Sequence, residues 1–180
     1  MNFSDISNNV ERAITQVQTM AQTIGELQVF IQDNNRRKEQ LMSQAYALGN
    51  DEDSARRRNE IGRMISNINS ENQRYSNMLQ NAQTKYNEAA NYLNVCKAKL
   101  GELEAAIVQR LKSLESSMEK LSIMSSGPFG GSAAANEMSR LDAKYNQHTA
   151  ELNATKALIQ RIDEAAASGD PDRPKVLRRR

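Results

Sequence analysis

His148 and Cys96 each occur once in the 180-residue chain. A histidine works as a metal ligand or general base only with partners at useful spacing. The carboxylates nearest to it on the expected helices, Asp142, Glu151 and Glu115, form no ligand pattern, so His148 reads as a packed or partly exposed side chain. One cysteine excludes an intramolecular disulfide and a cysteine-rich metal site, and Cys96 reads as a small buried hydrophobe. The stretch Gly127-Pro-Phe-Gly-Gly131 lacks the following Lys-Ser/Thr and the preceding strand of a phosphate-binding loop, and no Gly-x-Ser-x-Gly elbow occurs. The expectation is a non-enzyme with no cofactor and no metal.

Other residues could bind without reacting. Arg56, Arg57 and Arg58, with Arg63, follow an expected hairpin turn, and Arg36-Arg37-Lys38 lies on the opposing helix. Glu39, Asp51, Glu52, Asp53 and Glu60 are interleaved with them. This is either a mixed-sign solvated tip or a docking tip for an acidic partner. Phe129 is the only bulky residue of the glycine-rich stretch. It either folds back onto the hairpin end or offers a partner contact. The tail ends in Arg178, Arg179 and Arg180, and its Pro171 and Pro174 prevent helix. Its readings are an unstructured end, a linear anchor or a phosphate-contacting arm. Residues 168–180 carry a local charge of +3 within a chain of net +2, so the remainder sums to −1. A nucleic-acid role would therefore rest on the tail alone.

The elements that position these residues follow from apolar rhythm. Steps of three and four residues run through Phe3, Ile6, Val10, Ala13, Val17, Met20, Ile24, Leu27 and Ile31, and resume at Leu41, Ala45 and Leu48. After Gly49-Asn50 the rhythm restarts at Ile61 and reaches Leu103. Such steps keep one stripe of a helix facing one partner. Folding the second series back on the first opposes Ala45 to Ile61, Leu41 to Ile65, Ile31 to Tyr75 and Leu27 to Leu79. The one seam asparagine of each series, Asn34 and Asn72, also meet. A buried asparagine costs stability unless partnered and penalises other registers, so the pair reads as register-setting. Gly49-Asn50 is expected to end the first helix as a C-cap, and Asp51, Asp53 or Ser54 to start the second. Ser4 or Asp5 should cap the first.

A third helix carries Met138, Leu141, Tyr145, His148, Leu152, Thr155, Ile159, Ile162 and Ala166. The second helix steps 100, 103, 107, 111, and two consecutive four-residue steps rotate its apolar face. Before that stutter it should face the first helix, and after it the third. The predicted fold is all-α: an elongated antiparallel coiled coil whose long central helix is flanked by the first helix on its N-terminal half and the third on its C-terminal half. Helices are expected at about 4–48, 54–125 and 133–167 in a single domain over 1–167, with a basic tail at 168–180. Where all three helices overlap, Tyr92, Val95, Ala106 and Val108 should add a local three-helix core. The rival topology breaks the second helix near Gly101 and folds into a compact bundle.

Aromatics are 4% of the chain and tryptophan is absent, too little for a compact core but enough for a stripe. Asn and Gln number 18 and 13 and gather on outward faces, where an isolated coiled coil carries Glu and Lys rows. Ile14, Phe30, Met42, Met64, Met78 and Ile123 lie off the seam as a second stripe. These features predict a structural or assembly protein that self-associates as a homo-oligomer or joins a larger bacterial or viral complex. The alternatives are a monomeric adaptor or chaperone that uses the tip and tail, and a tail-mediated binder of nucleic acid or anionic membrane. No run is long enough to span a bilayer and the N-terminus has no leader pattern. A cytoplasmic location is expected, with signal-less export or a virion as alternatives.

Overall fold

The computed structural model describes residues 2–125 and 131–168. They form three helices, α1 (Phe3–Tyr46), α2 (Glu52–Ser125) and α3 (Ser132–Ser168), and no strand occurs among the described residues. α2 packs against both α1 and α3. Both pairs are antiparallel. Arg58 meets Leu48 across ten residues of sequence and Asn72 meets Asn34 across 38, as in a hairpin opening from its turn. Likewise Tyr145 meets Glu115 across 30 residues and Asp163 meets Lys97 across 66. No helix among the described residues is long and apolar enough to cross a membrane.

The helix ends differ in detail from the sequence expectation. At α1 the cap is Asn2, not Ser4 or Asp5: its Oδ1 accepts the Asp5 N–H at 2.8 Å, and its carbonyl accepts that of Ile6 at 3.2 Å. At α2 the cap is Asp51. Its carbonyl accepts the Ala55 N–H at 3.1 Å, and its carboxylate accepts the Ser54 hydroxyl. That hydroxyl bond, followed by the backbone bonds, holds the Asp51 carboxyl below its ordinary value. Gly131 opens α3, its carbonyl accepting from Ala134 and Ala135. Gly49 does not close α1 in the left-handed conformation, because no glycine among the described residues has a positive φ. Instead the Arg58 guanidinium donates to the carbonyls of Leu48 and Gly49, in the turn that follows α1.

α2 continues through Gly62 and Gly101, so the helix does not break there. A Cβ added at either position would meet nothing within 4 Å. Both glycines therefore lie on open faces, and each lowers helix propensity without being required by packing.

The chain divides into two units, one of Met1–Glu11 with Asn91–Ala166 and one built on Arg12–Ala90. In the second, Leu41, Ile61 and Ile68 form a buried cluster against which Ala45, Leu48 and Ile65 pack. Val17, Ile24, Leu27, Ala82 and Ala89 continue the buried seam. Each fully buried Ile or Leu contributes roughly 1.5–3 kcal/mol relative to an exposed one.

In the first unit the start of α1 joins α2 and α3. Arg161 Nε lies 3.4 Å from Glu11 and Lys97 Nζ lies 2.6 Å from Asp163. The buried residues here are Val10, Leu93, Cys96, Leu100, Ile107, Leu111, Leu141, Thr155, Leu158, Ile162 and Ala165. α2 therefore buries 100, 107 and 111, as a stutter requires. α3 departs from its expected stripe. It buries Leu158 and Ala165, while Ala166 is exposed and Ile159 half-buried. Two consecutive three-residue steps, 152 to 155 to 158, turn its face the opposite way. Of the expected extra core, Tyr92 is 42% and Val95 53% exposed and Ala106 is exposed, while Val108 is half-buried. The third helix is accommodated by Leu158, Ile162 and Ala165 instead.

Candidate interaction surfaces

The seam asparagines do meet. Asn34 is 5% exposed, and its Nδ2 donates to Asn72 Oδ1 at 3.0 Å and to Glu71 Oε1 at 3.2 Å. Asn72 Nδ2 in turn donates to Asn35 Oδ1 at 3.1 Å. The result is a four-residue polar layer across α1 and α2 in which no buried side-chain N or O is left without a partner. The bond from Asn34, then one from Tyr75, holds the Glu71 carboxyl below its ordinary value. Glu71 and Asn35 have no apolar signature, and only their places beside the seam could have flagged them. Next to this layer the rings of Phe30 and Tyr75 lie 5.6 Å apart, and the Arg74 guanidinium sits 5.7 Å from the Tyr75 centroid.

The arginine run after the turn separates into two kinds. Arg56 pairs with Asp53 at 3.6 Å and Glu52 at 4.0 Å, and Arg57 pairs with Glu60 at 3.0 Å. These are exposed pairs within one helix, of a kind that contributes ~0.2–1 kcal/mol. Arg58 is the one that holds the turn after α1, through the Leu48 and Gly49 carbonyls. On α1, Arg36 lies 3.9 Å from Asp33. Arg36, Arg56 and Arg57 are thus locally neutralised, whereas Arg37, Lys38 and Arg63 make no ion pair among the described residues. Phe129 and Arg178, Arg179 and Arg180 lie outside the described residues.

Of the off-seam apolar residues, Phe30 and Met78 are each 47% exposed, Met42 and Met64 each 40%, and Ile123 69%. Ile14 is 1% exposed and leaves that set. It directly follows the seam residue Ala13 and is buried with it.

No protein-family model, curated protein or solved structure matches the chain. The geometry of the single histidine and cysteine must therefore speak for itself. His148 Nδ1 lies 3.2 Å from Glu151 Oε2, one helical turn away. No group of three or more potential metal ligands occurs among the described residues. Cys96 is 6% exposed. Its hydrogen bond with Tyr92, aided by burial, pushes the tyrosine pKa up, against a bond to Asn9 that lowers it. Ile6, Tyr92, Val95, Cys96 and Lys99 enclose an apolar recess of about 200 Å³.

Proposed function

We propose that this chain is a non-enzymatic structural or assembly protein, a helical-hairpin subunit that self-associates within a larger complex. The observation that carries this reading is the set of large apolar side chains beside the α1–α2 seam. Phe30, Met42, Met64 and Met78 are each at least 40% exposed. Apolar surface of that kind, flanking a seam already filled, is what association would bury. The outward amide-rich faces support the same reading, since neutral polar surface is less costly to desolvate than rows of Glu and Lys.

The adaptor reading relies on free charge at the tip, and it is the weaker for Arg56 and Arg57 having acidic neighbours and Arg58 a carbonyl partner. Sedimentation velocity of the full chain over a wide concentration range, in low and high salt, separates the two. Discrete concentration-dependent oligomers are expected. A monomer at every concentration rejects self-association and favours the adaptor. Binding of nucleic acid or anionic vesicles that disappears when residues 168–180 are removed would instead establish the tail as the functional element.

A further inference from the structure

In the first unit α2 and α3 border an open groove of about 360 Å³, lined by Arg110, Ser113, Leu114 and Ser117 of α2 and by Lys144 and His148 of α3. Its charges are unevenly committed. Neither Arg110 nor Lys144 makes an ion pair or hydrogen bond among the described residues, which they share with other exposed cations such as Lys112, and what distinguishes them is that both border this groove. The acids of α3 along this side are already engaged within the helix. Glu151 accepts from Gln147 Nε2 at 3.4 Å and lies 3.2 Å from His148 Nδ1. Glu137, on which Lys144 acts at longer range, is clamped by Nε and Nη2 of Arg140 at 3.0 and 2.6 Å. Glu115 accepts the Tyr145 hydroxyl at 2.9 Å.

The spacing selects the shape of what would fit. Arg110, Leu114 and Ser117 recur at one face of α2, and Lys144 and His148 are one turn apart on α3. A long, open trough between two helices accommodates a third helix rather than an enclosed small molecule. Leu114, half-buried, provides an apolar floor between the two cations. Ser117 donates its hydroxyl proton to the Ser113 carbonyl at 3.0 Å.

We propose that this groove docks an acidic amphipathic helix of a partner protein. Carboxylates one turn apart on that helix meet Arg110 and Lys144, and an apolar side chain between them rests on Leu114. The inference rests on the assembly reading and names the chemistry of the partner.

The test uses the full chain and a fluorescein-labelled peptide of repeated Glu-Ala-Ala-Leu-Glu-Ala-Ala, titrated by fluorescence anisotropy in low salt. The groove variant is R110Q/K144Q, and K112Q serves as control on an exposed lysine of the same helix. All replaced side chains are exposed, and circular dichroism checks that helicity is retained. Saturable binding is expected, weakened about tenfold by R110Q/K144Q and unchanged by K112Q. Absence of binding to the wild-type chain overturns the proposal, as does equal weakening by K112Q. Tighter binding of a single-stranded oligonucleotide, lost with the same pair, overturns it in favour of phosphate recognition. Loss of self-association in R110Q/K144Q overturns it in favour of a second copy as occupant. A monomeric chain that binds the peptide keeps the groove and rejects self-association. An oligomeric chain that ignores the peptide does the reverse.

Discussion

Replacing both seam asparagines by leucine should stabilise the chain, while replacing Asn72 alone should weaken it. Asn34 Nδ2 makes two hydrogen bonds and Asn72 Nδ2 one. At a net ~1 kcal/mol each, the double variant forfeits about 3 kcal/mol. A leucine at position 34, where the site is 5% exposed, returns roughly 2.5 kcal/mol, and one at the half-buried position 72 roughly 1.5 kcal/mol. The balance is a gain of about 1 kcal/mol. In N72L the two bonds of Asn72 vanish and Asn34 stays buried with only Glu71, so the balance is a loss of about 0.5–1 kcal/mol. N34L should lie near the wild type. Urea midpoints of the four proteins close a double-mutant cycle, and the coupling between the sites should be about 1 kcal/mol, the worth of the one bond they share. The short turn between α1 and α2 resists slippage within one chain. Lost specificity should therefore emerge as new association states in sedimentation, for which the polar layer is the barrier. A double variant less stable than wild type, or additive single effects, would refute the reasoning.

Three further outcomes are expected. R58A should lower stability by about 1–2 kcal/mol, because it leaves two turn carbonyls without that partner, whereas R56A should cost less than about 0.5 kcal/mol; equal thermal shifts would remove the turn-holding role. G101A, whose Cβ meets open space inside α2, should raise stability by about 0.5–1 kcal/mol in thermal melts, and a loss would mean that the glycine relieves a strain. Stability should also fall at both pH extremes. Glu71 has a folded pKa below its ordinary 4.5, so its contribution is present above that value and disappears as pH drops through the folded one. Tyr145, bonded to Glu115, has a folded pKa above 10.0, so its contribution is present below 10 and disappears as pH rises through the folded one. Urea midpoints of E71Q and Y145F against pH should flatten the acid and alkaline limbs respectively, and unchanged limbs would disprove the assignment.

The seam was legible because its rhythm is strict. Leu41, Ile61 and Ile68 announce themselves by spacing, and the stutter at 107 and 111 is visible as two long steps. What escaped sequence reading is a choice between neighbouring apolar positions. Ile14 becomes buried from a flanking position, and α3 exchanges Ile159 and Ala166 for Leu158 and Ala165. Both alternatives are apolar, so composition cannot choose the phase. The Arg58 contact escaped for another reason. Three adjacent arginines point in three directions 100° apart, and only the position of the turn carbonyls after α1 decides which one is structural. The groove cations were unremarkable in sequence, since being unpaired is a property of neighbours rather than of the residue.

The spacing of contacts along the chain has a consequence in time. The hairpin closes through partners as few as ten residues apart, and each further seam pair extends a loop already shut, so its entropy cost grows slowly. The first eleven residues have that advantage toward α2, where Ile6 meets Tyr92 and Cys96, but none toward α3. Glu11 meets Arg161 only after the chain has grown 150 residues further. During synthesis the hairpin can zip as soon as α2 emerges, while the α3-facing side of the leading end of α1 waits for α3. Until then that side is open to any other chain within reach, including a neighbour emerging from the same message.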